Sequence, residues 1–397
     1  MNPLSECVRG NICMNITVVC DVLGEANNGT TIAALNLIRS MKERGHNVRV
    51  ICSDGNRKGQ DGFYIVPTLN LGPIVNRYLK KNGVALSRPV TKTVAEAIDG
   101  ADVVHFMTPF SLSRKAIRLA KKRQIPLTAG FHCQAENFTS HLFLKDAKIS
   151  NRLFYHFIWG LAYHNCACIH YPTQFIRDTF EHTIRRKTPG YVISNGVNKA
   201  FHPIAVERDP KYDGKIVIQF TGRLSKEKTH KVLIDAVALS KYRDRIQLVF
   251  AGIGPLHDKL EKRGRKLPNA PEFRFFSRED LVRQLNMADL YVHPAEIEIE
   301  AISCLEAIAC GLVPVIANSP RSATRYFAID ERNLFHNKDP KDRAKRIDYW
   351  IEHPEEKKAL AERYRGFVEQ HEYEHCMDRM EQMLSDAAKE RQHEKRA

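Results

Sequence analysis

The sequence predicts an α/β protein made of two parallel-sheet domains followed by carboxyl-terminal helices. Three observations carry this reading. Apolar strands alternate with amphipathic helices from Met14 onward, the alternation restarts as a second cycle after Asp213, and 397 residues with 43% hydrophobic content are enough for two cores.

The first cycle opens with a strand over residues 15–20 and a loop holding Asn27, Asn28 and Gly29. A helix over residues 30–44 follows, because Ile32, Leu35, Leu37, Ile38 and Met41 recur at helical spacing and Gly45 stops it. Residues 46–52 form the next strand, so the unit is βαβ and its strands run parallel. Further strands fit at 103–106 and 126–131. In the second cycle, strands at 215–221, 245–251, 271–276 and 290–292 are separated by helices at 229–239, 256–266 and 278–287. The join is expected between residues 195 and 213, where Pro203 and Pro210 interrupt the pattern. The domains therefore read as 14–200 and 201–365, with a closing helix at 366–397 expected to pack back toward the first domain. Ligands of parallel sheets sit beyond the carboxyl ends of the strands, so a cleft faced by both domains is the expected site.

Charge is unevenly distributed. Residues 1–200 hold 26 Lys plus Arg against 13 Asp plus Glu, whereas the remainder holds 35 against 33. Clusters such as Arg114, Lys115, Arg118, Lys121, Lys122 and Arg123, or Lys80 and Lys81 beside Pro73, Ile74 and Tyr78, form basic surfaces with apolar neighbours. Docking on an anionic membrane face, where each basic residue contributes about 1 kcal/mol, is the expected partnership. Nucleic acid is not, since no recognition motif accompanies the charge. Ten scattered cysteines without a metal-type CxxC pair point to reduced thiols in a cytosol. No signal peptide is legible, residues 1–13 look dispensable, and the most apolar stretch, 154–169, is interrupted by His156, His164 and Asn165. A cytoplasmic protein attached peripherally to the inner face of the plasma membrane is the expectation.

The stretch from His293 to Ile316, HPAEIEIEAISCLEAIACGLVPVI, carries the most chemistry. Glu298 lies in a loop and Glu306 within the helix expected to begin near Ala301; eight helical residues would advance about 12 Å, roughly the span from sugar to ribose in a nucleotide sugar. The free amides and positive dipole end between them suit a diphosphate. Most glutamates eight apart are solvated surface charges, but Glu306 sits in a segment too apolar to be exposed and so needs a partner such as a ribose diol. In FTGRLSKEKTH, Arg223 and Lys228 occupy a strand-to-helix loop where two cations could neutralise a diphosphate; a solvated basic turn is the bland alternative. Gly252 and Gly254 allow close backbone approach to a ligand, and Gly29 in the first loop allows approach to an acceptor or the donor phosphates. His132 follows a strand end and is placed to donate to a sugar hydroxyl, whereas His105 reads as a hydrogen-bonded strand-end residue.

In this order the Gly29 loop, His132, Asn195-Gly196-Val197, Gly222-Arg223 with Lys228, Gly252-Ile253-Gly254, and Glu298 and Glu306 followed by Gly311 and Pro314 resemble the retaining family 4 glycosyltransferases over nearly the whole chain. The resemblance implies the GT-B fold, two Rossmann-like domains facing a cleft. It also implies roles: Arg223 and Lys228 on the donor diphosphate, Glu306 on the ribose, Glu298 on the sugar hydroxyls, the amides of Ala301 and Ile302 on phosphate and sugar, and His132 on the donor sugar, with Gly29 and Gly254 lining the donor. Two departures stand out. Ile299, Glu300 and Ala301 occupy the places of the usual Gly-Phe-Gly, and Thr229 replaces the glycine that commonly follows the lysine. The variant EIEAISCLEAIACGLVPVI looks more like the bacterial diacylglycerol glucosyltransferase branch than the polysaccharide branch.

The expected activity is transfer of a hexose from a nucleotide diphosphate sugar, UDP-glucose or UDP-galactose, to a lipid hydroxyl such as that of diacylglycerol with retention. No cofactor and no catalytic metal are expected. Transfer to a soluble glycan or cell-surface polysaccharide intermediate is the runner-up reading. A nucleotide-sugar epimerase and a non-catalytic basic binding module are the more distant ones.

Overall fold

The computed structural model describes residues 13–21, 23, 29–73, 76, 86–136, 148–337 and 339–394. The chain divides into two compact units, one of Met1–Ser194 with Cys376–Ala397 and the other of Asn195–His375.

In the first unit the described strands are β1 (Asn15–Val19), β2 (Asn47–Cys52), β3 (Phe63–Ile65), β4 (Val103–Phe106), β5 (Leu127–Gly130), β6 (Cys168–Tyr171) and β7 (Gly190–Val192). They pair in the order β3-β2-β1-β4-β5-β6-β7, every pair parallel. The connecting helices are α1 (Gly29–Glu43), α2 (Thr91–Ala97), α3 (Ser111–Lys122), α4 (Lys148–Leu161) and α5 (Gln174–Ile184). Strands β4, β5 and β6 are buried at every residue, which is why they read as apolar runs rather than alternations. The apolar stretch 154–169 resolves into the end of α4, a 3₁₀ turn at Tyr163–Asn165 and the start of β6. Edge strands β3 and β7, three residues each, carried no periodic signal.

The second unit repeats the plan with β8 (Ile216–Thr221), β9 (Ile246–Ala251), β10 (Glu272–Arg274), β11 (Leu290–His293), β12 (Pro314–Asn318) and β13 (Leu334–His336). Their parallel order is β10-β9-β8-β11-β12-β13. Helices α6 (His230–Leu239), α7 (His257–Gly264), α8 (Arg278–Met287), α9 (Ile302–Ala309), α10 (Pro340–Glu352) and α11 (Pro354–Glu369) complete it. Leu233, Val292, Leu305, Ile308, Ile347 and Trp350 lie in its core. Both sheets reverse direction at one point, between β1 and β4 and between β8 and β11, where the loops beyond the strands part and leave room for a ligand.

The last helix, α12 (Tyr373–Glu394), buries Met377, Met380, Met383 and Leu384. Its Asp378 and Glu381 take Arg44 Nη1 at 2.5 and 2.9 Å, and Glu381 meets His46 Nε2 at 3.2 Å, which ties the helix to the first unit. Among the described residues no helix is long and apolar enough to cross a membrane. Lys80, Lys81, Ile74 and Tyr78 of the expected basic surface, and Asn27 and Asn28 of the first loop, lie outside the described residues.

At the end of β1 the fully buried Asp21 accepts from Ser87 N at 3.1 Å and Thr108 Oγ1 at 3.3 Å, joining three segments. Burial pushes its carboxyl up to about 6 despite those bonds. A folded value above the unfolded one means that stability present below pH ~4 is lost as pH rises through 6. Asp21→Asn should therefore be more stable than the parent at pH 8, by up to about 3 kcal/mol, and no more stable at pH 4. Urea unfolding at the two pH values measures this, and equal differences would contradict it.

Candidate active site

The switch point of the second sheet brings two loops together because β8 and β11 are neighbours. After β8 the chain runs through Gly222 and Arg223 into a 3₁₀ turn at Lys226–Lys228 and then α6. After β11 it runs through Pro294–Ala301 into α9. Lys228 Nζ from the first loop pairs with Glu298 Oε1 from the second. His293, fully buried at the end of β11, places Nε2 3.2 Å from the same oxygen, and its Nδ1 lies 3.4 Å from Tyr291 OH. Burial pulls the His293 imidazole below its usual range, so the ring is neutral, donating from Nε2 to the carboxylate. Burial alone would raise the Glu298 carboxyl, but the Lys228 charge and the His293 bond outweigh it and hold it low. Glu298 is thus a carboxylate at neutral pH, paired with Lys228.

The loop carrying Glu298 is braced on two sides. Glu296 N donates to Glu227 O at 2.8 Å, and the buried Glu296 carboxylate pairs with Arg321. Ala323 N donates to Glu298 O at 2.9 Å, and Ser319 Oγ to Glu296 O at 2.6 Å. Glu300, standing where the resemblance expects a small aromatic-glycine segment, accepts from Asn195 N at 3.0 Å and Asn195 Nδ2 at 2.5 Å. It anchors the loop to the start of the unit.

Helix α9 begins at Ile302 with Ala301 at its cap position and no side chain capping it, so its first amides keep their donors and the positive dipole end unmet by a side chain. Glu306 lies one turn further on, partly covered and without a hydrogen-bond partner among the described residues. Loss of hydration pushes its carboxyl up to about 8, with Arg278 only weakly opposing. The enclosed carboxylate expected from the sequence is therefore a protonated acid at neutral pH until something donates to it. Arg223, half-buried, is drawn down by burial with Glu227 opposing, yet a guanidinium stays charged.

Two glycines serve the protein's own backbone. A Cβ at Gly254 would come within 2.6 Å of Leu224 O, and one at Gly252, where φ is +155°, would strike Gly222 O. The close approach expected there is to a ligand; the one observed joins the turn after β9 to the loop after β8. Beneath that loop His230 sits between Phe220 and Phe250, with ring centroids 4.7 and 5.2 Å away, and burial brings it down to about 3.

Thr229 adopts φ +48°, ψ +34°, a left-handed conformation that a β-branched side chain rarely takes. Its hydroxyl donates to Pro294 O, tying the Lys228 loop to the Glu298 loop. A glycine would adopt this backbone without strain but could not make that bond. Sequence reasoning noted the substitution without foreseeing the bond; Glu296 and Arg321 it did not single out, although an acid beside Glu298 and a base just past the next strand were both visible.

In the first unit Gly29 is the first residue of α1, and among the described residues nothing lies within 4 Å of the place a Cβ would occupy. His132 follows β5, but its ring turns back along the strand. Its Nε2 would lie 2.6 Å from a Cβ at Gly130, is enclosed, and has no hydrogen-bond partner among the described residues. His170 stands 5.7 Å away between ring centroids, and His105, fully buried, bonds Thr128 Oγ1 at 2.9 Å through Nδ1. Burial keeps all three neutral, His105 at about 3, His170 at about 4 and His132 well below its usual value. Among the described residues no group of three or more His, Cys, Asp or Glu side chains gathers as metal ligands.

Two cations, an uncapped helix start and flanking carboxyl groups at a sheet's switch point describe a site for a phosphorylated, hydroxyl-rich ligand in a two-unit α/β enzyme. Residues 203–367 match the family model of glycosyl transferases group 1, and residues 27–201 that of glycosyltransferase family 4. The chain belongs to the family 4 glycosyltransferases and is a hexosyltransferase of the GT-B fold. Among its relatives, a GDP-mannose-dependent alpha-mannosyltransferase of Corynebacterium glutamicum is 28% identical, the match covering 80% of this chain and 75% of that one. An alpha-monoglucosyldiacylglycerol synthase of Streptococcus pneumoniae is 23% identical over 77% of this chain and 71% of its own. The structure of Anabaena Alr3699/HepE in complex with UDP-glucose has the same fold, with a TM-score of 0.73 at 16% identity, covering 94% of this chain and 100% of that one.

Two outcomes are expected at this site. Thr229→Ala keeps the strained backbone and loses the hydroxyl bond, so it should destabilise the protein by about 1–2 kcal/mol. Thr229→Gly should cost less, because it releases roughly 1–3 kcal/mol of backbone strain; thermal unfolding of the pair decides, and the reverse order would refute the account. Ribose hydroxyls donating to Glu306 would favour its ionised form, so nucleotide affinity should climb as pH rises from 6.5 to 8, by at most about tenfold per pH unit. Glu306→Gln should lack that component in calorimetry, and parallel pH profiles for the two proteins would remove Glu306 from the binding site.

Proposed function

We propose that this enzyme transfers a hexose from a nucleotide diphosphate sugar, UDP-glucose or UDP-galactose, to the free hydroxyl of a membrane lipid such as diacylglycerol, with retention at the anomeric carbon. The observation that carries the reading is the Lys228–Glu298 pair beside Arg223 and the uncapped start of α9. The diphosphate lies against Arg223, Lys228 and the amides of α9, Glu306 takes the ribose diol, and Glu298 takes the sugar hydroxyls. The likeness to a glucosyldiacylglycerol synthase and the basic excess of residues 1–200 favour a lipid acceptor and a peripheral, cytoplasmic-face location.

The acceptor oxygen forms the new bond to the anomeric carbon on the face that the diphosphate leaves. The bond from that carbon to the phosphate oxygen breaks, and the departing phosphate takes the acceptor proton. Negative charge grows on the diphosphate as this happens, and fixed cations and backbone dipoles are strongest against charge that develops in place. Lys228, shared with Glu298 at rest, turns part of its charge toward the leaving group. Arg223, Lys228 and the helix start thereby do the work a metal ion would otherwise do.

Incubation of the full chain with UDP-glucose, UDP-galactose and GDP-mannose in turn, with vesicles carrying diacylglycerol or other hydroxyl-bearing lipids, tests the reading. A labelled glycolipid from a UDP-hexose, formed also in EDTA, is the expected product. Transfer from GDP-mannose alone, or only to a soluble glycan, would overturn it. Arg223→Ala and Lys228→Ala should each lower turnover by about 10²-fold or more. Unchanged turnover would exclude that residue from the chemistry.

A further inference from the structure

Helix α4 inverts the usual rule for a surface helix. Ile149, Leu153 and Phe157, four residues apart and so on one face, are 77%, 65% and 62% exposed. Those side chains spread along about 12 Å of one helix and present most of their surface outward. The opposite side packs normally, with Tyr155 and Ile158 buried. Single exposed apolar residues need no explanation, but a row of three large ones at helical spacing does.

Helix α3 lies beside it. The crossovers β4-α3-β5 and β5-α4-β6 step in the same direction across the sheet, so right-handedness puts both helices on one face. Lys121 Nζ at the end of α3 bonds Asn165 Oδ1, just past α4, at 2.9 Å. Along α3, Arg114, Arg118 and Lys122 are exposed, again four apart, and have no carboxylate partner among the described residues. No Asp or Glu occurs in the sequence between Asp146 and Asp178, and Arg152 adds a further exposed cation on α4.

An apolar row beside a parallel basic row is the pattern of an interfacial helix pair. The geometry points to α4 as an insertion element: Ile149, Leu153 and Phe157 enter the acyl boundary of an anionic bilayer while Arg114, Arg118 and Lys122 of α3 meet its headgroups. A charge-free apolar partner would leave the cations without counterions, and a soluble acidic partner would leave the apolar row wet. This rests on the membrane-lipid acceptor proposed above and adds the surface by which the enzyme reaches it.

Flotation of the full chain with vesicles of phosphatidylglycerol and phosphatidylcholine, against phosphatidylcholine alone, tests the assignment. The parent should float with the anionic vesicles and retain part of that binding at high salt, where charge is screened but apolar contact is not. The variant I149S/L153S/F157S changes only exposed positions and should bind at least about 10-fold more weakly at high salt. R114Q/R118Q/K122Q should lose binding chiefly at low salt. Floating of the serine variant like the parent, equal binding to neutral vesicles, or vesicle-independent self-association abolished by the serine changes would overturn the proposal. Flotation by a parent that glycosylates no lipid would support this surface while the acceptor reading failed.

Discussion

The site depends on a buried charge pair that neither partner could sustain alone. A carboxylate as enclosed as Glu298 would take up a proton without Lys228, and an ammonium in that position would lose its counter-charge without Glu298. The neutral His293 fixes which carboxylate oxygen faces the lysine. Because the two residues come from loops 70 positions apart in the chain, the pair also fixes the distance between those loops. Everything else nearby serves that spacing: Glu296 with Arg321, the Ser319 and Ala323 bonds, Glu300 on Asn195, and Thr229 held in a conformation its side chain disfavours.

The same pair explains how the loops stay charged and yet adaptable. Among the described residues Lys228 pairs with one carboxylate, so an anion arriving there would compete with that single partner. Glu306 is the complementary case. Loss of hydration leaves its carboxyl protonated at neutral pH, and groups donating to it would favour the charged form. Two carboxyl groups eight residues apart are thus set to opposite protonation states by their surroundings, one by a cation and the other by dehydration.

The two units treat charge differently. At the strand ends of the second unit, cations and carboxylates are concentrated. At those of the first, His105, His132 and His170 are kept neutral by burial, and the basic excess appears instead on exposed helix faces such as that of α3. Opposite demands on polarity are met within one repeated architecture because sheet cores and helix exteriors respond to separate sets of side chains.

Periodicity alone determined that strands and helices alternate twice, since completely buried parallel strands must be apolar throughout and covering helices must be apolar on one side; the central strands and most helices follow from that. The residue types at the ends of β8 and β11 likewise disclosed a loop pair rich in charge. Short edge strands such as β3, β7 and β13 were not legible, because three residues at a sheet margin leave no period to detect. Nor could the sequence disclose that Gly254 makes room for Leu224, that His132 folds back onto Gly130, that Thr229 reaches Pro294, or that Ile149, Leu153 and Phe157 stay largely exposed. The Leu224 and Pro294 contacts join segments dozens of residues apart, and side-chain direction and exposure likewise are decided by packing in three dimensions, not by local pattern.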